Sequence, residues 1–220
     1  MKVKSFDRKE ELLEAAMDEF IAKSYEEASL NNIIKNAGIS KGTFYYHFQD
    51  KQALYLSLIQ SAVDAKIEFV GRRLKDYVHN EDLSIFENLK LQARFGVEFA
   101  KDYPRFYLLG SMFLREKGNK IYEVAMDMLD DTSENYYDDL MEKAKERGDF
   151  RNGVTIEFAK KILIYMLYRF DEIFDIKRAE FDYDRMICDF DNLIDFMQHG
   201  LGSEKSRTSE RKEAHGNITG

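Results

Sequence analysis

Pro104 is the only proline in the chain, and glycines number just twelve in 220 residues. Gly and Pro are the strongest punctuation a backbone has, so a chain with so few of them runs in long uninterrupted helices, and β-hairpins are nearly excluded. The apolar pattern agrees. Leu12, Leu13, Ala16, Met17, Phe20 and Ile21 recur at helical spacing with charges between them, which predicts a helix over residues 5–23. Ser29 is placed to cap a second helix through Asn36, Ser40 a third from Lys41 to about His47, and Asp50 a fourth that runs to about Val78. Further helices are expected at 82–101, 104–115, 119–147, 154–174 and 183–200. Pro104 suits a first helical turn, where its missing N–H costs nothing, and Arg147-Gly148 reads as a helix C-terminus. The expected fold is all-α: a three-helix N-terminal head with a helix-turn-helix, then a helical bundle domain, about nine helices together. The domain reading is 1–50 for the head, 51–202 for the bundle and 203–220 for a frayed polar tail.

Composition limits the function classes. Hydrophobic residues make up 44% and charged residues 34%, enough for a packed core. The longest apolar run, Ile162 to Tyr168, falls far short of the roughly 20 residues that span a bilayer, so no membrane partner is expected. A lone Cys188 cannot close an internal disulfide. With the charged start (Lys2, Lys4, Asp7, Arg8, Lys9) and no apolar leader, it points to the reducing cytoplasm. The net charge of −8 argues against nucleic acid as a partner only if charge acts globally. Screening over about 8 Å at physiological salt lets a small basic face work on an acidic protein.

Enzymatic chemistry finds no support. His47, His79, His199 and His215 show no metal-ligand spacing, Cys188 has no evident base, and no Gly-rich phosphate loop occurs. The acidic group Asp182, Asp184, Asp189, Asp191 and Asp195 lacks the glycine and spacing of a calcium loop and reads as a solvated helix face. No cofactor and no metal are expected.

The informative stretch is Ser29 to Lys51, two short helices meeting across Ala37-Gly38-Ile39. In a helix-turn-helix the second helix enters the DNA major groove. Leu30, Ile33, Ile34, Ala37, Ile39, Phe44 and Phe48 supply the apolar lock, while Lys41, Thr43, Tyr45, Tyr46 and His47 supply an outer polar face, with Lys51 beyond. Gly42 and Thr43 allow close approach of backbone and DNA. Thr43 is the residue best suited to a base edge. Because Tyr45 and Tyr46 are adjacent, one of them is expected partly in the core, and His47 has an alternative as a packed histidine against the first helix.

The run from Ile33 to Leu54, with Gly42-Thr43-Phe44-Tyr45-Tyr46-His47-Phe48 followed by Asp50-Lys51, resembles the signature of the TetR/AcrR repressors, and the resemblance covers about residues 8–58. It implies a homodimer on a palindromic double-stranded operator, usually repressing, and releasing DNA when a small molecule occupies the C-terminal domain. By this resemblance the DNA contacts fall to Ser29, Ser40, Lys41, Gly42, Thr43, Tyr45, Tyr46 and His47, with Lys51 as a phosphate-binding lysine. The second helix departs from the pattern at Asn31 and Asn32, where many members carry a charge.

Effector-pocket candidates are Phe95, Phe99, Phe106, Tyr107, Met112, Phe113, Tyr122, Met126 and Tyr165, since a body rich in Phe, Tyr and Met makes an adaptable apolar cavity. Taken one at a time, each reads as ordinary core. Arg169 could orient an anionic group or pair with Asp171 or Glu172. The stripes Phe158-Ile162-Tyr165-Met166-Arg169-Phe170-Ile173 and Met186-Phe190-Leu193-Ile194-Met197 suit a dimer-forming four-helix bundle, through helices near 154–174 and 183–200.

Overall fold

Helix starts in this chain are set by side chains that satisfy otherwise orphaned N–H groups. Ser29 accepts from the Asn32 amide at 3.4 Å, Ser40 from Thr43 at 3.0 Å, Asp50 from Ala53 at 2.7 Å and Thr155 from Phe158 at 3.2 Å. Asp182 takes two amides, those of Asp184 and Arg185. The structure, a computed structural model, describes residues 8–77, 83–174 and 182–204. These hold ten helices: α1 (Lys9–Ala22), α2 (Leu30–Asn36), α3 (Lys41–His47), α4 (Lys51–Tyr77), α5 (Ile85–Asp102), α6 (Pro104–Arg115), α7 (Lys120–Arg147), α8 (Ile156–Tyr168), α9 (Phe170–Ile173) and α10 (Tyr183–Leu201). Among the described residues there is no strand, only an isolated bridge between Phe150 and Gly202. Among the described residues no helix is long and apolar enough to cross a membrane.

The all-α expectation holds, with differences at element ends. The helix expected from residue 82 begins at Ile85, because Ser84 and Glu87 form a capping box: the Ser84 amide donates to Glu87 Oε2 at 2.8 Å and the Glu87 amide to Ser84 Oγ at 3.3 Å. The helix expected over 154–174 is two, separated at Arg169, whose φ of −104° and ψ of 11° leave the helical region. The start expected at residue 5 and most of the expected tail, from 205 on, lie outside the described residues.

The chain divides into two compact units. The first comprises residues 1–69 and 99–131. Its core joins Leu12, Ala16 and Phe20 of α1 to Ile33 of α2, Phe44 of α3, Leu54, Tyr55 and Leu58 of α4, Leu109 and Phe113 of α6, and Ile121 and Ala125 of α7. Phe20 meets Tyr55 edge-on at 4.8 Å. Arg105, at the start of α6, reaches Glu14 and Asp18 of α1.

The second unit comprises residues 70–98 and 132–220. Ile85, Phe86 and Leu89 pack with Met141 and Ala144, Ala159 and Leu163, and Leu193, Ile194 and Met197. Asp149, the one buried carboxylate among its described residues, accepts from the Ile85 amide at 2.8 Å and from Arg147 at 3.0 Å, so a buried charge is paired and ties the start of α5 to the end of α7.

Candidate nucleic-acid interface

The turn between α2 and α3 is built by a left-handed residue. Gly38 has φ +63°, a conformation that L side chains adopt at a cost. Around it the Ile39 amide donates to Ile34 O at 3.2 Å and the Gly38 amide to Lys35 O at 3.1 Å, the paired bonds of a Schellman helix end. Arg8 closes the turn from outside: its guanidinium donates to Gly38 O at 2.6 Å. Sequence reasoning placed Gly38 but missed Arg8, which has no motif signal and lies thirty positions away.

Phe44 is fully buried and Phe48 nearly so, which fixes the rotation of α3 on α1 and α2. The opposite side faces outward. Ser40, Lys41 and Gly42 are exposed, Thr43 is half-buried, and Tyr45 and Tyr46 are 59% and 69% exposed. Neither tyrosine enters the core, contrary to the expectation for an adjacent pair. Seven residues give α3 fewer than two full turns, and its inward side is filled by Phe44. The Ser40 and Thr43 hydroxyls lie 2.9 Å apart and share a hydrogen bond. His47 is half-buried, and its Nε2 is sealed in the protein without a hydrogen-bond partner, so that nitrogen does not reach the outer face. Ser29 is half-buried at the N-terminus of α2.

Lys51 is not displayed as expected. Its Nζ turns onto the α1–α2 connection, donating to Tyr25 O at 2.7 Å and Ala28 O at 3.0 Å, with Glu26 O at 3.5 Å, and it stands 4.4 Å above the Tyr25 ring. Loop carbonyls with no helical partner attract a nearby ammonium as a phosphate would. The same connection is held by two carboxylates that sequence reasoning did not single out. Glu116, buried after α6, accepts from the Tyr25 amide at 2.7 Å. Glu19 of α1 accepts from the Ser29 amide at 3.0 Å and from Lys23 at 2.6 Å.

Burial alone would raise the Glu19 pKa, but hydrogen bonds from Lys23, Ser29 and Asn32, with the Lys23 charge, outweigh it and hold the carboxyl below its ordinary 4.5. A depressed native pKa contributes stability above the unfolded value and loses it as pH falls through the folded one. Glu19→Gln should therefore melt below the parent at neutral pH, with the gap closing as pH drops below 4.5. A gap that stays constant in thermal melts across that range would show that the Glu19 charge is not what stabilises the connection.

The effector candidates are divided between the two units. Phe99, Phe106, Tyr107, Met112, Phe113, Tyr122 and Met126 belong to the first unit, where Phe113 stacks on Tyr122 at 4.9 Å and Phe99 lies parallel to Phe106 at 6.4 Å. Phe95 and Tyr165 belong to the second. Tyr165, on α8, is 62% exposed. Phe158 and Phe196 are likewise exposed, at 52% and 69%. Among the described residues no His, Cys, Asp and Glu group is arranged to hold a metal ion, and Cys188 is a free, exposed thiol.

Residues 6–58 match the profile described as bacterial regulatory proteins, tetR family. The chain is 35% identical over 74 residues to the HTH-type transcriptional activator FasR of Mycolicibacterium smegmatis, a match covering 34% of each chain. It is 23% identical over 198 residues to the HTH-type transcriptional regulator YvdT of Bacillus subtilis, covering 88% of this chain and 95% of that one. Over the head, then, the chain spans about a third of the length of the curated relative it matches. Among solved structures it is similar in fold to the transcriptional regulator FadR from Bacillus subtilis in complex with stearoyl-CoA. That likeness has a TM-score of 0.65 at 15% identity and covers 87% of this chain and 98% of that one.

Proposed function

We propose, from the match of residues 6–58 to the profile of the tetR family of bacterial regulatory proteins, that the chain is a regulator of that kind, a sequence-specific DNA-binding transcriptional regulator. In this reading it acts as a homodimeric repressor released from a palindromic operator by a small, largely apolar effector. The observation that carries the reading is the exposed set Ser40, Lys41, Gly42, Tyr45 and Tyr46, with half-buried Thr43 among them, mounted on the buried Phe44 and Phe48. A rigid, polar and aromatic helix face with one lysine at its start is what a major groove accepts. Residues 1–50 serve as the DNA-binding domain, 51–202 as the dimerisation and effector domain, and 203–220 as a tail.

Ser29, Ser40, Lys41, Gly42, Thr43, Tyr45, Tyr46 and His47 form the DNA-contacting set, His47 through whatever its sealed Nε2 leaves free. Dimerisation uses α8 and α10, which leave Phe158, Tyr165 and Phe196 in solvent. Large exposed aromatics on adjoining elements suit an interface better than a free surface. An apolar effector is supported by the aromatic and methionine content of α6 and α7 and by the acyl-CoA named for the FadR neighbour. It acts as a switch only if it binds the DNA-free conformer more tightly.

The test is binding of duplexes selected by the protein itself from a random library, measured across salt. Lys41→Ala should weaken all duplexes alike and lower the slope of log K against log salt by about 1.8 per dimer, about 0.9 for each of the two lysines lost. Thr43→Val should change which base is preferred, by about 1–3 kcal/mol at one position of each half-site. If both variants bind like the parent at every salt concentration, this face is not the DNA-binding surface.

A further inference from the structure

Tyr25 is held at both ends of its peptide and on its ring. Its N–H donates to Glu116 Oε1 at 2.7 Å, and its C=O accepts from Lys51 Nζ at 2.7 Å. Its ring lies under the same ammonium and packs against Tyr55 at 5.0 Å. Glu116 is 3% exposed, and its second oxygen accepts from Asn119 at 2.7 Å. An ammonium has three N–H groups, and Lys51 has three carbonyls within reach, those of Tyr25, Glu26 and Ala28.

The connection that these two charges grip ends at Ser29, whose amide is pinned by Glu19 and whose hydroxyl caps α2. The placement of α2, and of α3 locked to it through Gly38, therefore depends on where the Tyr25 peptide sits. Charge-assisted bonds to a peptide are short and directional, and a buried carboxylate without its partners is costly, so the grip resists small displacements.

We propose that Lys51 and Glu116 are positioning residues for DNA recognition, acting through the Tyr25 peptide, and that Lys51 does its work on this loop and not on a phosphate. Glu116 stands at the C-terminal end of α6, so a shift of that end is delivered directly to the connection that orients α2. The inference rests on the reading that this head binds DNA, and it names the residues that join the end of α6 to the α1–α2 connection.

The experiment uses the full chain and a duplex selected by the parent. Lys51→Met and Glu116→Ala should each weaken binding about tenfold or more at fixed salt, in conditions where the variants remain folded, since tenfold corresponds to only about 1.4 kcal/mol. The salt slope should stay at the parental value, unlike the Lys41→Ala control, which loses about 1.8 per dimer. Hydrogen exchange at the Tyr25 amide should accelerate in Glu116→Ala and largely recover in Glu116→Gln, which keeps an acceptor. A merely structural role would lower the melting temperature and leave the affinity of the folded variants unmoved.

Should Lys51→Met not fold, Lys51→Arg decides the point. Arginine keeps the charge a phosphate needs but cannot gather three carbonyls at one atom, so affinity drops if Lys51 positions and holds if it binds phosphate. A slope reduced by about 1.8 per dimer in Lys51→Met with affinity intact in Glu116→Ala overturns the proposal. If the parent selects no duplex, the DNA-binding reading itself falls, while unchanged Tyr25 exchange in Glu116→Ala would separately refute the grip.

Discussion

Phe44→Ala should unfold the head and abolish duplex binding. Phe44 is fully buried in the core shared by α1, α2, α3, α4, α6 and α7, with Phe48 at 6.3 Å and Tyr45 edge-on at 5.1 Å. A buried Phe reduced to Ala costs about 3–5 kcal/mol through lost transfer energy and the cavity left behind. Typical domain stabilities are about 5–15 kcal/mol, so that is a large share of the total. A short helix of seven residues has little stability of its own and depends on this one anchor. Urea denaturation should show the loss, and binding should vanish without any contacting residue having been touched. Phe44→Leu, which keeps most of the volume, should retain both. A Phe44→Ala variant within about 1 kcal/mol of the parent would mean that α3 is held by something other than this core.

The second large effect is expected at α8 and α10. Tyr165→Asp combined with Phe196→Asp should convert a dimer to monomers in sedimentation velocity while leaving the fold intact, because both side chains are mostly in solvent within the single chain. Aromatic residues contribute about 150–250 Å² each when buried, and a carboxylate in their place would be desolvated without a partner in any interface they form. The consequence for DNA is multiplied. Two heads held together gain about 10²–10⁴ over either head alone, so the monomer should lose binding by at least about a hundredfold while keeping the same base preference in each half-site. A double variant that sediments as a dimer would move the interface elsewhere.

Much of the head was legible because its determinants are local. Ser29 and Ser40 each cap the helix they immediately precede, and Gly38 takes the left-handed turn that no other residue in that stretch would adopt as readily. Pro104 opens α6 as its missing donor requires. The capping box of Ser84 and Glu87 was also written in the sequence, as Ser followed three residues later by Glu, and reading it would have moved the start of α5 to Ile85. The break at Arg169 was not legible. The apolar pattern continues through Phe170 and Ile173, so periodicity runs straight across a change of backbone angle.

The site was harder to read than the fold for a related reason. Lys51 and Glu116 earn their roles from carbonyls and an amide 23 to 91 positions away, and a peptide group leaves no mark in a side-chain pattern. Periodicity could not say which way Tyr165 faces, because α8 carries apolar residues on both its buried and its exposed sides, Ala159 and Leu163 inward, Phe158 and Tyr165 outward. Hydrophobicity identifies what avoids water. It does not distinguish a residue's own core from a surface that meets another chain.

The shared core of the first unit bears on how such proteins diversify. Leu12, Ile33 and Phe44 lie in one apolar cluster with Leu109, Phe113, Ile121 and Ala125, which arrive only after a long excursion of the chain. A recombination event that exchanged residues 8–58 between two relatives would import one half of a jigsaw and leave the other behind. The portable module is discontinuous, so on the proposed DNA-binding reading a change of base preference is more readily reached by substitution on the outer face of α3 than by swapping whole heads.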